Sequence, residues 1–379
     1  MAPQTYIDVH VLQTVPPSNL NRDDAGSPKE AIYGGTRRAR VSSQAWKRAT
    51  RQTFADRIPD HELATRTKRL STLVARRIQE RSGLDDEQAL RVSTSLLKPL
   101  GISPGRKESD TAYLMFLGRA QIDAIADLVA DRAGELAALD DKQLEETLKD
   151  EDVKGIVQRG HPLAVALFGR MVADLPDLNV DAACQVAHAI STHPVEVEFD
   201  YYTAVDDENP GDETGAGMIG TIEFNAATLY RYATIGYEQL LENLGDDHEA
   251  ALTAVDAFLD GFARSIPSGY QNSFAHRTLP SLVAVCVRTD QPVNLVSAFE
   301  EPVRSREGIA ARSAERLAAE LTHANELWAR PPSLVTATYT TDESTSETLR
   351  SAFGEPTPFP QLRDSVVDHV RGLTAPSPA

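Results

Sequence analysis

TRRARVSSQAWKRATR, residues 36–51, holds six basic residues (Arg37, Arg38, Arg40, Lys47, Arg48 and Arg51) and no acidic one, in a chain of 379 residues with a formal net charge of −18. Gly34 and Gly35 break the chain just before it. Thr36–Val41 reads as a short strand, with Arg37 on one side and Arg38 and Arg40 on the other. Ser42 or Ser43 supplies an N-cap for a helix expected to run to about Arg57. On that helix Trp46, Ala49, Thr50 and Phe54 share an apolar face suited to packing on a sheet. Lys47 and Arg51, four residues apart, share another face, with Arg48 beside it. A basic island in an acidic chain is a local device. Strand arginines, a helix start near Ser42 and Ser43 and stacked cations together make a groove for phosphates. A solvated basic helix accounts for the same residues equally well.

Working outward, Tyr6–Thr14 alternates and is rich in β-formers, so it reads as the first strand. VPPSNLNRDD then reads as a polar loop, its two prolines excluding helix. Residues 61–182 read as mostly helical: Leu114, Leu117, Ile125, Leu128 and Val129 recur at helical spacing, and Leu139–Leu148 is acidic and amphipathic. GISPGRKES, residues 101–109, is a loop. Val180–Thr192 is expected to be a helix. VEVEFDYYTAV and IGTIEFNAATLYRYATI flank DDENPGDETGAGM as an extended hairpin with an acidic tip. Asp247–Arg264 and Ala310–Ala329 read as helices, Leu282–Arg288 and Leu334–Tyr339 as strands, and the tail TAPSPA as disordered.

The expected fold is α+β: a split βαβ sheet of ferredoxin or RNA-recognition type, decorated by a helical insertion and a hairpin. No Gly-rich phosphate fingerprint follows the first strand, which disfavours Rossmann and P-loop folds. The length and a hydrophobic fraction of 41% allow one large or two modest cores. No apolar run reaches membrane-spanning length and no secretory leader is read, so a cytoplasmic protein is expected. Two cysteines, Cys184 and Cys286, are too few for a disulfide framework and read as buried small residues. Residues 1–60 carry nine Lys/Arg against six Asp/Glu, so the rest of the chain carries −21. Any nucleic acid must therefore meet one face while the others repel it.

The blocks IDVHVLQTVPPSNLNRDD, AIYGGTRRARVSSQAWKRATR, AHAISTHPVEVEFDYYTAVDD and EFNAATLYRYA resemble the CasC backbone subunit of type I-E CRISPR Cascade, in order from Tyr6 to about Phe299. The resemblance implies a hand-like fold: a palm of RNA-recognition type from residues 1–60 and 183–379, helical fingers from 61–182, and a thumb hairpin at 194–226. It implies copies lined up in a filament along a guide RNA, pairing of the exposed guide with a target DNA strand, and a non-catalytic scaffold without cofactor. The implied partners include the repeat-processing endonuclease, the 5'-handle-binding subunit and the large and small subunits, with no membrane. Matching positions imply Arg22, Arg40, Ser42, Gln44, Lys47, Arg48 and Arg51 as palm contacts to the guide. Arg170 and Met171 match a finger motif beside a kinked base, and Tyr202 and Thr203 match the thumb pair, where an aromatic ring can stack on a base. Arg304 and Arg306 fall where relatives carry lysines. One segment departs. Where relatives carry a lysine-bearing finger helix that touches target duplex, this chain has DDKQLEETLKDEDVK, whose Gln143, Glu145 and Glu146 leave Lys142 and Lys149 on a weak or negative face.

A metal-dependent RNase would use paired loop carboxylates, Asp23 and Asp24 or Asp206 and Asp207; capping a turn or pairing with Arg22 is the favoured role for the first pair. Cys184, His188 and His193 would suit a metal only if the first two share a helix face. An ordinary enzyme has no nucleophile elbow or cofactor fingerprint to support it.

Overall fold

Strand β1 (Tyr6–Ser18) is the spine of a nine-stranded sheet. The computed structural model describes residues 4–101, 110–112, 114–204, 218–306, 308–340 and 346–374. The other strands of that sheet are β2 (Glu30–Tyr33), β3 (Thr36–Val41), β6 (Cys184–Val186), β7 (Ala189–Ser191), β8 (Glu198–Ala204), β9 (Met218–Gly236), β10 (Leu282–Arg288) and β11 (Leu334–Tyr339). A separate pair is formed by β4 (Ala64–Thr67) and β5 (Met115–Gly118). The main path is β11–β10–β1–β9–β7–β3–β2, with β8 also paired to β9.

The chain divides into two units. The first comprises residues 1–53, 185–235 and 255–379. Its central strands are near-continuous apolar runs: every residue of β10, LVAVCVR, is buried, as expected for a strand covered on both faces. β1 and β10 run antiparallel from the pair Tyr6 and Arg288 to Leu12 and Leu282. The period-two alternation of β9 sorts the two faces. Tyr230 and Tyr232 join Leu12, Ala284 and Cys286 under helix Ile309–Leu327, packed on Leu317 and Leu321. Arg231 points the other way, toward Trp46 of helix α1 (Ser43–Thr53) and toward Phe262.

The second unit comprises residues 54–184 and 236–254. Helices Leu70–Ser82, Asp86–Leu97, Arg119–Ala130 and Asp141–Leu148 enclose a core that includes Val74, Ile78, Val92, Leu96, Ile125, Leu144 and Leu148. The α+β class is thus observed.

Several sequence expectations are corrected. Residues 180–192 form no helix: two short strands, β6 and β7, take their place, with Ile190 opposite Tyr230 and Arg40 opposite Ile190. Sheet pairing with distant strands outweighs the local helical spacing. β1 continues through Pro16 and Pro17 to Ser18 instead of entering a loop at Val15; the proline φ near −65° is compatible with extended backbone. Leu117 lies in β5, and the helix begins only at Arg119. α1 stops at Thr53, whose hydroxyl donates to the Thr50 carbonyl at 2.7 Å, and a 3-10 turn Phe54–Asp56 follows. The loop at 102–109, the acidic hairpin tip with Asp206 and Asp207, and the end of the tail from 375 lie outside the described residues.

Candidate nucleic-acid interface

The hairpin that delivers the basic island closes at Gly34 and Gly35, both at positive φ (57° and 73°), as a two-residue turn of this kind demands. Beyond it, the six cations take different places. Arg38 is fully buried. Its guanidinium donates to the carbonyls of Ser191 (2.9 Å), Phe299 (2.9 Å) and Glu300 (3.2 Å), so it ties β3 to β7 and to the segment that leads to Arg304 and Arg306. Arg37 is exposed and paired with Glu30 at 2.6 Å. Arg40 is half-buried, donates to the Glu30 carbonyl (3.1 Å) and lies 3.1 Å from His188 Nδ1. Burial first, then the nearby Arg40 charge, pushes the His188 pKa down, which keeps its ring an acceptor for that arginine.

α1 is docked by Trp46, Ala49 and Thr50, all buried. This leaves Gln44 and Arg48 exposed and Lys47 and Arg51 half-buried along its outer side. Ser42 is the buried cap: its Oγ accepts from the Ala45 N–H at 3.3 Å, and its own N–H donates to Asn21 Oδ1 at 2.9 Å. Its hydroxyl is therefore committed to the helix start.

The Asn21 contact brings the loop carrying Arg22 to the start of α1. Asn19 anchors the same loop from the other end, donating to the carbonyls of Gly26 (3.0 Å) and Glu223 (2.9 Å), the latter on β9. Arg22 is exposed and lies over the Tyr270 ring, 4.6 Å from its centre. Gly269 permits the close approach: a Cβ there would fall 2.4 Å from the Asn19 carbonyl oxygen. Asn19, Asn21 and Tyr270 were not singled out from the sequence. Their only signal is that two short amides flank Leu20 ahead of a basic residue.

On the hairpin, β8 and β9 pair from Glu198 and Phe224 to Ala204 and Met218. Tyr202 is 44% exposed, and its ring lies across Gly220 of the facing strand, where a Cβ would meet the hydroxyl oxygen at 2.3 Å. Thr203 continues β8; its side chain lies outside the described residues. Arg304 and Arg306 are exposed in the segment held by Arg38.

In the second unit, Met171 is 83% exposed. Arg170 is not. Its guanidinium is buried and donates to the carbonyls of Leu178 (2.7 Å) and Val157 (3.1 Å), and burial lowers its pKa to about 10. Arg170 thus fixes the turn that presents Met171, which corrects the expectation of a side chain facing RNA. Helix Asp141–Leu148 turns Leu144 and Leu148 inward, while Lys149 pairs with Glu146 and Glu145 with Lys98.

Asp23 Oδ1 accepts from the N–H groups of Ala25 (2.9 Å) and Ser27 (3.0 Å), so this carboxylate caps a turn. Asp24 is exposed beside it. Cys184 and His188 share no helix, and both ring nitrogens of His193 are occupied, Nδ1 donating to the Pro194 carbonyl and Nε2 accepting from the Thr228 N–H. Among the described residues no group of three His, Cys, Asp or Glu side chains is arranged to hold a metal. Cys184 and Cys286 are buried and belong to no disulfide. No described helix is long and apolar enough to cross a membrane.

Fold and site together define a mixed α+β protein that carries a cationic strand–loop–helix surface on an acidic chain. The model of the CT1975-like protein family (Cas_CT1975) matches residues 7–365, and the chain belongs to that family. One chain of a solved "CRISPR RNA-guided surveillance complex, pre-nicking" is 34% identical with a TM-score of 0.80, covering 96% of this chain and 99% of that one. A chain of a "CRISPR RNA-guided surveillance complex" is 31% identical with a TM-score of 0.73, over 96% and 99%. Comparison with curated proteins found no match.

Proposed function

We propose that the chain is a guide-RNA-binding backbone subunit of a CRISPR surveillance complex of the type I-E Cascade kind. The carrying observation is the surface of Arg22, Arg40, Gln44, Lys47, Arg48 and Arg51, assembled on the first unit by β3, α1 and the Asn-anchored loop. Its likeness along nearly the whole chain to subunits of such complexes supports the same reading. A guide has arbitrary sequence, so recognition must use backbone charge and stacking in place of base-edge readout. Cations on a helix side and an exposed tyrosine on a hairpin supply both. The order β10–β1–β9–β7, with α1 and helix His248–Arg264 as connections, is that of a split βαβ sheet, which supports an RNA-recognition-type palm. In this reading the second unit supplies the fingers with Met171 beside a kinked base, Tyr202 on the hairpin of the first unit stacks at a kink, and copies polymerise along one guide with the other Cascade subunits. The chain is a scaffold and cuts nothing.

The test is to co-express the chain with its proposed partner subunits and a CRISPR array and to sequence the RNA that co-purifies. Processed repeat–spacer RNA in a multi-copy particle is the expected result. A stable monomer or dimer free of RNA would overturn the reading.

A further inference from the structure

Asn225 of β9 is 8% exposed, and among the described residues its amide nitrogen, sealed from solvent, has no hydrogen-bond partner. That nitrogen carries two donors, and a buried donor left unpaired bears its full desolvation cost. Strand alternation puts Asn225 on one face of β9 with Ala227 and Leu229. All three line a recess of about 20 Å³, which is also walled by Ser18, Lys29 and Arg40. Elements far apart in the chain thus meet around one unused donor: the end of β1, the loop that carries Arg22, β3 and β9.

Size and charge say what fits there. A space this small admits one hydroxyl, the size of a water molecule, and excludes a phosphate group. Its donor is a neutral amide, and Ser18, only 3% exposed, adds a second neutral group. The rim is cationic. Lys29 and Arg40 are half-buried and have no ion pair among the described residues. The Arg40 N–H donates to the Lys29 carbonyl at 2.9 Å, which fixes the two backbones together. Arg40 belongs to the surface proposed for the guide, so a strand laid along that surface by its phosphates carries its sugars past the recess. On a sugar the 2'-hydroxyl is the small neutral group that both accepts and donates, and DNA lacks it.

We propose that Asn225 is a specificity-determining residue: its side-chain amide donates to one ribose 2'-hydroxyl of the bound guide, seated in this recess, and so favours RNA over DNA. The inference rests on the guide-binding reading and sharpens it from a polyanion to a ribose-bearing strand. Lys29 and Arg40 supply charge for the phosphates beside that ribose, which either nucleic acid would satisfy. A 2'-deoxy strand leaves the buried amide unpaired, and a 2'-O-methyl strand is too large for the recess.

The experiment titrates three labelled strands of one guide sequence, as RNA, as 2'-deoxy and as 2'-O-methyl, with the full chain and its proposed partner subunits, and reads fluorescence anisotropy across a salt series. It compares wild type, Asn225→Leu, Asn225→Ala, and Lys47→Ala combined with Arg51→Ala. Wild type should bind RNA more tightly than either modified strand. Both Asn225 variants should lose about two- to tenfold in RNA affinity, the value of one hydrogen bond. Their 2'-deoxy affinity and salt slope should stay at the wild-type level, since no charge is removed. The 2'-O-methyl strand probes the recess without any substitution, and wild type binding it as tightly as RNA would overturn the proposal. An RNA preference identical in wild type and both Asn225 variants would also overturn it, leaving the amide to hold a water. An equal loss on RNA and 2'-deoxy strands would assign Asn225 a structural role instead. The guide-binding reading fails, and this inference with it, if wild type binds none of the strands or if the Lys47 and Arg51 variant keeps the wild-type salt slope.

Discussion

The guanidinium of Arg231 lies 3.7 Å from the centre of the Trp46 indole ring. It also donates to Gln13 Oε1 at 2.6 Å and to the Phe262 carbonyl. This buried cation joins α1 to β9 and to β1, and so sets the seat of the helix that carries Lys47, Arg48 and Arg51. Burial without a carboxylate partner lowers the Arg231 pKa to about 9. Trp46→Ala removes the ring that faces the cation and leaves a cavity, so it should cost about 3–5 kcal/mol. Thermal melting reads that loss, and a variant as stable as wild type would show that α1 is seated by something else.

Gly34 and Gly35 are adjacent and both left-handed, yet they should respond differently. A Cβ on Gly34 would fall 1.6 Å from the Glu300 carbonyl oxygen, whereas one on Gly35 meets nothing within 4 Å. Gly35→Ala carries only the backbone strain, on the order of 1 kcal/mol. Gly34→Ala must in addition push away the segment that Arg38 holds, the one bearing Arg304 and Arg306. Melting curves of the two variants should therefore separate by several degrees, with Gly34→Ala the lower. Equal curves would mean that the segment moves aside without cost.

The buried pair Asp8 and His10 gives opposite acid responses. Burial raises Asp8 to about 6 despite Arg288 at 3.3 Å, and burial, aided by Arg288, lowers His10 to about 3. With a raised folded pKa, Asp8 contributes stability that is full below its unfolded value near 4 and is lost as pH rises through 6. With a depressed folded pKa, His10 contributes stability present above its unfolded value near 6.5 and lost as pH falls toward 3. Between pH 6.5 and 4 the His10 loss is therefore set against the Asp8 gain. His10→Asn keeps a polar group beside the Tyr230 hydroxyl and removes the His10 loss, so the variant should gain stability relative to wild type as the pH falls from 6.5 to 4. Urea unfolding at pH 4, 5, 6 and 7 reads it; parallel pH profiles for the two proteins would refute the assignment.

Lys47 and Arg51 test the proposed palm. Replacing both with Ala should weaken guide binding alike for unrelated guide sequences and reduce the log–log salt slope by about 1.4, the single-strand value for two charges. Anisotropy titrations with two guides at four salt concentrations suffice. A loss confined to one guide would point to base readout instead of backbone grip.

How much of this was legible beforehand depended on whether the cause was local. The amphipathic face Trp46, Ala49 and Thr50 is written in the spacing of α1, and the all-apolar LVAVCVR announces a covered strand. Arg38 and Arg170 were not legible as interior groups. What makes each acceptable in the interior is a set of carbonyls supplied by other elements, for Arg38 at sequence separations of 153 and 261. The pattern of residues 180–192 likewise failed to reveal β6 and β7, because the partner strand β9 lies some 40 residues on and is invisible to local periodicity. Within the basic island, the sequence located the charge but could not sort the cation that braces the sheet from those that line its surface.

The hairpin of β8 and β9, the proposed thumb, offers a separation of ring presence from ring position. Tyr202 faces Gly220 across β8 and β9, and its ring occupies the space that a Cβ at Gly220 would need. Tyr202→Ala deletes the stacking surface; Gly220→Ala keeps the ring but drives it off the strand. If the ring stacks on a displaced base, both variants should alter base exposure at the kink, read as 2-aminopurine fluorescence in the bound guide. Overall affinity should change less than about tenfold, since stacking supplies about 1–3 kcal/mol for one base while the backbone grip remains. Should Gly220→Ala leave the fluorescence at the wild-type level while Tyr202→Ala changes it, the ring acts from a position other than the one it holds over Gly220.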